Sequence, residues 1–230
     1  MRTYSKDYKN HPRTTPYTTN KERANREAKE WDIRIDITPE CTLDYVVQTI
    51  KDSITTGDIV YTLISGLENP DETNSAYEKS LSQQTHVHIA LVMLFEINRA
   101  TALKICRGAK KLSDEYCVPR NQKFTYAGWV AHHTKINTKH DPDNLIEYEY
   151  GTLPMDALNE ETCWKVVKML KKFGTNDIKA RFDIYYKHLD KIKNEKIAEE
   201  NNEAVDDSYV LPSGTRRIPK HLADLLINKE

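Results

Sequence analysis

Glycine is scarce in this chain, which has only seven glycines in 230 residues. None of them forms a G-x-x-x-x-G-K-[ST] or G-x-G-x-x-G loop, which excludes a Walker-type ATPase or a Rossmann cofactor site in these residues. The four cysteines form no C-x-x-C pair, so a zinc ribbon or a redox motif is not expected. We expect reduced, buried thiols at Cys41, Cys106, Cys117 and Cys163.

Long hydrophobic runs are also missing, since no stretch approaches the roughly 18 consecutive apolar residues that a membrane-spanning helix needs. The N-terminus lacks the apolar core of a signal peptide. The sequence therefore predicts an intracellular protein without a membrane partner.

The chain as a whole has no excess of either charge, because 34 Lys and Arg residues face 35 Asp and Glu residues. A net charge of -1 argues against a simple polycationic coat for nucleic acid, although it says nothing about local patches. Residues 1–30 contain eight basic and four acidic residues, a net charge of +4, and nothing that can form a core. They are predicted to form a flexible basic arm, which is either a disordered tail or an arm that contacts phosphates.

Hydrophobic periodicity is present, and it changes between strand-like and helix-like segments. Trp31 to Ile37 alternate apolar and polar residues as a half-buried strand does. Thr42 is the predicted N-cap of a helix with apolar residues at helical spacing as far as Ile50, and Gly57 ends this helix. Further strands are predicted at 59–65, 86–95, 116–118 and 145–150, and further helices at 98–107 and 124–133. The order β-α-β-β-α-β-α-β predicts an α+β fold in which helices pack on an antiparallel sheet.

From Asn159 the pattern is purely helical. Residues 162–173 and 176–196 are amphipathic, and two such helices cannot bury their apolar stripes alone, so they pack either on the preceding domain or on other subunits. Residues 199–207 contain five acidic residues and are predicted to form a linker. We therefore divide the chain into the arm (1–30), an α+β domain (31–154), a helical module (155–198) and an acidic linker with a C-terminal tail (199–230), where a short helix is predicted at 221–228.

The most informative triplet is His86-Val87-His88, inside a predicted strand. Residues i and i+2 of a strand share a face, so both imidazoles can converge on one divalent cation. The alternative is two incidental polar residues on a solvent-exposed face. Glu68 and Asp71 follow the preceding strand, where the chain turns back toward His86, and are either further ligands or ordinary loop acids. Such a mixed nitrogen and oxygen site suits Mn²⁺ or Mg²⁺, with Zn²⁺ as an alternative.

Five segments occur in order along residues 31–154, namely IRIDIT, YTLISGLENPDE, THVHIALVM, AHHTKIN and LIEYEYGTLP. This set resembles the HUH rolling-circle replication-initiator endonucleases of circular single-stranded DNA viruses and rolling-circle plasmids. The resemblance implies an antiparallel-sheet sandwich of the HUH type, in which His86 and His88 hold a divalent metal, Glu68 completes the site and Asp71 can join it. It also implies that the metal polarises a phosphate of single-stranded DNA, while a tyrosine attacks and forms a 5′-phosphotyrosyl link.

The chain departs from this family at the third motif, which is Y-x-x-K on a helix. His132 stands three residues before Lys135, and the plasmid-type pattern places Trp129 in the tyrosine position. Tyr126 is the only tyrosine on that predicted helix, and it lies nine residues before Lys135, about 13 Å along an ideal helix. The catalytic candidates are therefore His132 as nucleophile, Lys135 as a phosphate contact or orienting group, and Tyr126 as a substitute nucleophile.

The resemblance also implies the partners of the protein. It predicts a replication initiator that binds origin DNA, nicks and joins single-stranded DNA, and forms a homo-oligomer through residues 162–196. A separate helicase is a further expected partner, because the helicase domain of the viral initiators is absent from these residues. The location implied is the host nucleus for a virus of a eukaryote, or the cytoplasm for a plasmid. The alternative function is that of a catalytically inactive DNA-binding and oligomerising protein of the same fold, which lacks the nucleophilic tyrosine.

Overall fold

Alternating apolar side chains form the first strand, β1 (Ala28–Asp36), in which Trp31, Ile33 and Ile35 are buried. The strand begins three residues earlier than predicted, since Ala28 already pairs with Ile97 of a neighbouring strand. The last residues of the predicted arm therefore belong to the sheet. The computed structural model describes residues 26–69, 85–110, 116–206, 208–210 and 217–219, with side chains described as far as residue 200, so most of the arm lies outside it.

The following elements occur in the predicted order. Helix α1 (Leu43–Ile54) begins at the predicted N-cap Thr42, whose hydroxyl accepts a hydrogen bond from the Tyr45 N–H. Helix α2 (Arg99–Arg107) begins at the predicted N-cap Asn98. The remaining elements of this part are β2 (Ile59–Ser65), β3 (His86–Ile97), β4 (Tyr116–Pro119), α3 (Tyr126–His133), a 3₁₀ turn (Ile136–Thr138) and β5 (Ile146–Gly151).

The five strands form one antiparallel sheet in the order β4-β1-β3-β2-β5. This confirms the predicted α+β fold with an antiparallel sheet. The first six elements follow a βαββαβ order with strands arranged 4-1-3-2, which is the split arrangement of ferredoxin-like folds. Strand β5 extends the sheet beside β2.

Helices cover both faces of the sheet, and β3 lies at its centre. Ile89 of β3 belongs to the core that α1 and α2 form on one face. Ala90 and Val92 point to the other face, where they pack with Trp129 of α3. Because His88 lies on the same side of β3 as Ala90, it faces α3 rather than the core under α1 and α2. All four cysteines are buried, as predicted.

The predicted helices after the sheet are present, and they pack on α3. Helix α4 (Glu160–Phe173) begins after its N-cap Asn159 and shares a buried core with α3. That core includes Ala127 and Ala131 of α3 and Val166 and Leu170 of α4. Packing on the preceding domain, one of the two predicted alternatives, is therefore observed, and a homo-oligomer through residues 162–196 stays a prediction.

The second predicted helix is divided into α5 (Asn176–Arg181) and α6 (Asp183–Asp206), which are separated at Phe182. The segment predicted as an acidic linker is helical through Asp206, because glutamate and alanine favour a helix and no glycine or proline interrupts the stretch. A hairpin of β6 (Ser208–Val210) and β7 (Arg217–Pro219) follows. The helix predicted at 221–228 lies outside the described residues. Within the described ranges, no helix combines the length and apolar character needed to cross a membrane.

Candidate metal centre

Two histidines of β3 form the centre of the site. His86 and His88 lie on the same side of the strand, and their ring centroids are 5.2 Å apart. The Nε2 atoms of both rings lie 3.7 Å from Oε2 of Glu68. The ligand atoms of these three residues all lie within 4.8 Å of one another. The structure therefore brings the predicted ligands Glu68, His86 and His88 into a group positioned to hold a metal ion.

Glu68 lies three residues after β2, and backbone bridges on both sides fix its position. Its N–H donates to the carbonyl of His86 at 2.8 Å, and the His86 N–H donates to the carbonyl of Glu68 at 3.1 Å. On the other side, Glu68 forms a β-bridge with Lys139. The backbone thus places the Glu68 side chain beside the histidines. Asp71, the other predicted acidic ligand, lies outside the described residues.

A buried lysine, which was not predicted from the sequence, contacts Glu68. Nζ of Lys139 donates to Oε1 of Glu68 at 2.6 Å and to the backbone carbonyl of His133 at 2.7 Å. The Lys139 side chain is 0% exposed and that of Glu68 is 4% exposed. Burial lowers the pKa of Lys139, and the charge and hydrogen bond of Glu68 oppose that shift. Glu68 is therefore oriented with Oε1 on the lysine and Oε2 toward the two histidines.

A second group of ligand atoms shares His88. It adds Asp32 of β1 and His133, the last residue of α3, and its ligand atoms also lie within 4.8 Å of one another. Nε2 of His133 lies 3.1 Å from Oδ1 of Asp32, and its Nδ1 lies 2.8 Å from the backbone carbonyl oxygen of Trp129. The ring centroids of His88 and His133 are 5.4 Å apart. Neither Asp32 nor His133 was predicted as a site residue.

Tyr116 of β4 contacts the same carboxylate. Its hydroxyl donates a hydrogen bond to Oδ2 of Asp32 at 3.3 Å. Burial alone would raise the pKa of Asp32, but the hydrogen bond and charge of His133, with smaller effects of His132 and Tyr116, lower it. Asp32 is therefore an ionised carboxylate held between a tyrosine hydroxyl and an imidazole.

His132 lies beside this centre and belongs to neither ligand group of the described residues. Its ring centroid lies 5.3 Å from that of Phe173 and 6.1 Å from that of His133. The ring retains exposed surface, yet loss of hydration, followed by the charges of His133 and Lys135, lowers the pKa of His132 to about 4. Its imidazole is therefore neutral at pH 7. Lys135 follows α3 and is partly exposed.

Tyr126, the other predicted nucleophile, lies at the opposite end of α3 from the two ligand groups. Its hydroxyl donates to Glu30, and the guanidinium of Arg120 lies 4.0 Å from the centroid of its ring. Burial, followed by the hydrogen bond and charge of Glu30, raises the pKa of Tyr126 to about 12. Seven residues, about 10 Å of helix, separate Tyr126 from His133. The structure therefore does not bring Tyr126 to the candidate metal centre.

The shared ligand His88 is in the protonation state that binds metals. Burial lowers the pKa of His88 well below its ordinary value, and the charges of His133, His86 and Lys139 act in the same direction. Because neutral imidazole is the metal-binding form, His88 is ready to bind a cation at neutral pH.

Comparison with known proteins gives no family for this arrangement. No protein-family model matches the chain, and no curated protein matches it significantly. The functional interpretation therefore depends on the geometry of the two ligand groups.

Proposed function

We propose that the protein is a metal-dependent nuclease of the HUH replication-initiator type, which binds origin DNA and nicks and joins single-stranded DNA. The observation that supports this function most directly is the buried group of Glu68, His86 and His88 on the central strand of an antiparallel sheet. Both histidines lie on one side of that strand, in the arrangement that the H-x-H resemblance implies. A five-stranded antiparallel sheet with helices on both faces is compatible with the sandwich of that family.

The side chains of this group fit a divalent cation. Two imidazole nitrogens and one carboxylate form a mixed donor set that suits Mn²⁺ or Mg²⁺, and also Zn²⁺. His86 and His88 would hold the ion through Nε2, and Glu68 through Oε2, since Oε1 already accepts from Lys139. When bound, such a cation supplies Lewis-acid polarisation of a phosphate oxygen.

In this proposal Tyr116 supplies the nucleophile that the third motif lacks. Its hydroxyl already donates to Asp32, so this carboxylate accepts the phenolic proton while the Tyr116 oxygen forms a bond to phosphorus. The bond between phosphorus and the 3′ oxygen breaks in the same step, and that oxygen takes a proton from water. The product is a 5′-phosphotyrosyl link, and Lys135 contacts the phosphate chain. His132, with its neutral imidazole, is the alternative nucleophile.

The test uses the full chain and a labelled pool of randomised single-stranded oligonucleotides, with Mn²⁺, Mg²⁺ or Zn²⁺. We expect cleavage and a protein–DNA adduct that survives denaturing electrophoresis, both lost on chelation and in His86→Ala and His88→Ala. The matched control is His188→Ala, which removes an imidazole of α6 outside both ligand groups. If no metal produced cleavage or an adduct, the proposal would be rejected.

A second candidate is the catalytically inactive DNA-binding and oligomerising protein of the same fold. It is favoured by one observation: α3 brings His133, and no tyrosine, to the ligand groups. This function predicts DNA binding that weakens with salt, no cleavage with any metal, and unchanged binding in His86→Ala/His88→Ala. A metal requirement for DNA binding would count against it.

A further inference from the structure

We propose that Asp32, His88 and His133 form a second position for a divalent cation, beside that of Glu68 and His86 and sharing His88 with it. The proposal concerns cation binding alone and does not depend on the nuclease function. Its basis is the way in which His133 faces Asp32 across the space between α3 and β1.

The hydrogen bond at Nδ1 determines the tautomer of His133. The carbonyl oxygen of Trp129, 2.8 Å away, can only accept a hydrogen bond, so Nδ1 carries a hydrogen. With that hydrogen on Nδ1, Nε2 is the ring nitrogen that faces Oδ1 of Asp32, at 3.1 Å. Either a proton or a cation between Nε2 and Oδ1 would join the two residues.

The surroundings of His133 match those of a metal ligand. Histidines that bind a metal commonly donate their other ring N–H to a backbone carbonyl, as His133 does to Trp129. Two ligand atoms that each lie about 2.1 Å from one cation, roughly at right angles, are about 3 Å apart. The observed distance of 3.1 Å between Nε2 of His133 and Oδ1 of Asp32 agrees with this separation. His88 supplies a third ligand atom within 4.8 Å.

The charges around the two carboxylates also differ, and the difference favours cation binding at Asp32 over Glu68. Lys139 places an ammonium 2.6 Å from Oε1 of Glu68, which weakens the attraction of that carboxylate for a second cation. Asp32 instead accepts from the neutral hydroxyl of Tyr116 at Oδ2, which leaves Oδ1 directed at His133. Asp32 therefore offers a full negative charge to a cation between itself and His133.

His88 is a member of both ligand groups, so cations at the two positions would lie close together and repel each other. We expect the wild-type chain to bind one equivalent, held either with Glu68 and His86 or with Asp32 and His133.

The test measures Co²⁺ binding to the full, chelator-treated chain by titration calorimetry and by visible absorption, which reports on the ligands of the ion. The variant Glu68→Gln/His86→Ala, which removes the first position, is expected to retain one equivalent. Adding His133→Gln or Asp32→Asn to this background is expected to weaken binding at least about tenfold. Adding His188→Ala instead, as the control, is expected to leave the affinity unchanged.

Two results would overturn the proposal. One is the loss of Co²⁺ binding in Glu68→Gln/His86→Ala while its circular dichroism spectrum matches the wild type. The other is an unchanged affinity when His133→Gln is added to that background, because a proton rather than a cation would then join His133 to Asp32. If the double variant does not fold, Glu68→Gln/His86→Gln, in which both positions retain a polar side chain, is used as the background with the same criteria.

Discussion

The ammonium of Lys139 lies 2.6 Å from Oε1 of Glu68, in a pair whose side chains are almost completely buried. The same ammonium donates to the backbone carbonyl of His133, so one side chain connects both ligand groups. Removing one member of such a pair leaves an uncompensated buried charge, which is more costly than the pair itself is stabilising. Lys139 therefore holds Glu68 in position before any cation binds.

We expect Lys139→Met to lower the free energy of unfolding by about 3 kcal/mol, because Glu68 remains buried without its partner. Mn²⁺ should then stabilise the variant more than the wild type, since the ion no longer competes with an ammonium for Glu68. Urea denaturation at pH 7 with and without Mn²⁺ measures both effects. Lys135→Met, which removes a partly exposed lysine near the same centre, is the control and should change stability little. Equal stability of Lys139→Met and the wild type would contradict the orienting role.

Gly66 lies two residues before Glu68, and its substitution should affect both the stability of the fold and the binding of a cation. A Cβ atom at Gly66 would lie 1.9 Å from the backbone carbonyl oxygen of Asn144, so Gly66→Ala has to displace one of the two segments. We expect a loss of about 1–3 kcal/mol in the free energy of unfolding and weaker Co²⁺ binding at Glu68. Both are measured on the same preparation, by urea denaturation and by calorimetry.

Gly57→Ala is the matched control for Gly66→Ala. Gly57 has a φ of +77° and no atom within 4 Å of an added Cβ, so alanine adds backbone strain without a clash. The free energy of unfolding should fall by about 1 kcal/mol while the affinity for Co²⁺ stays that of the wild type. Equal Co²⁺ affinity in the two variants, each combined with His133→Gln so that only the position of Glu68 and His86 remains, would show that the segment around Gly66 does not position Glu68.

Local pattern was sufficient to predict most elements of the sheet domain. Strand β1 was predicted from alternation, and the starts of α1 and α2 from the side chains of Thr42 and Asn98, because each signal lies within a few neighbouring residues. The sequence does not predict the helical continuation to Asp206, since a dense run of acidic residues is typical of a linker. Phe182, at the break between α5 and α6, packs against α4 and the sheet, and no helical period reveals these contacts.

The sequence predicts only the part of the candidate site that lies on strand β3 and on the connection that precedes it. His86 and His88 are separated by one residue, and Glu68 follows the strand beside them. Asp32 and His133, by contrast, meet across 101 residues, and Lys139 reaches Glu68 across 71. Each of these contacts depends on strand order and on where α3 ends. A single lysine or aspartate in the sequence gives no signal from which such a contact can be predicted.

Asp156 provides a test of pH dependence away from the metal centre. Its carboxylate accepts from the N–H groups of Tyr126 and Ala127, at 2.7 and 3.1 Å, and so caps the beginning of α3. Burial raises the pKa of Asp156 although these two hydrogen bonds oppose the shift. The folded state therefore holds the proton of Asp156 more tightly than the unfolded chain, in which an aspartate has a pKa of about 3.9.

This difference makes the free energy of unfolding fall as pH rises through the raised pKa of Asp156. The stabilisation that protonated Asp156 gives is fully present below pH about 3.9 and is lost above the pKa of Asp156 in the folded state. Asp156→Asn removes the titration and keeps an oxygen that can accept at the helix terminus. We therefore expect the free energy of unfolding of the wild type, minus that of Asp156→Asn, to decrease with rising pH and then level off. Urea denaturation between pH 3 and 7 measures this difference, and an increase with pH would show that the hydrogen bonds dominate over burial.

Tyr116 and Tyr126 differ in the carboxylate that accepts their hydroxyl hydrogen bond, and this difference predicts which of them reacts with DNA. Tyr116 donates to Asp32 beside His133, whereas Tyr126 donates to Glu30 at the other end of α3. We expect Tyr116→Phe to reduce adduct formation by about 10³-fold or more, since removal of a nucleophile abolishes the covalent step. Tyr126→Phe should form the adduct at the wild-type rate.

Both variants keep an aromatic ring, so DNA binding measured by fluorescence anisotropy should be the same in the two proteins. Mass spectrometry of the proteolysed adduct then identifies the modified residue directly. An adduct on His132, lost in His132→Ala and retained in Tyr116→Phe, would show that the imidazole attacks and that Tyr116 only orients Asp32. Because phosphohistidine is hydrolysed in acid much faster than phosphotyrosine, survival of the adduct at low pH distinguishes the two nucleophiles without any substitution.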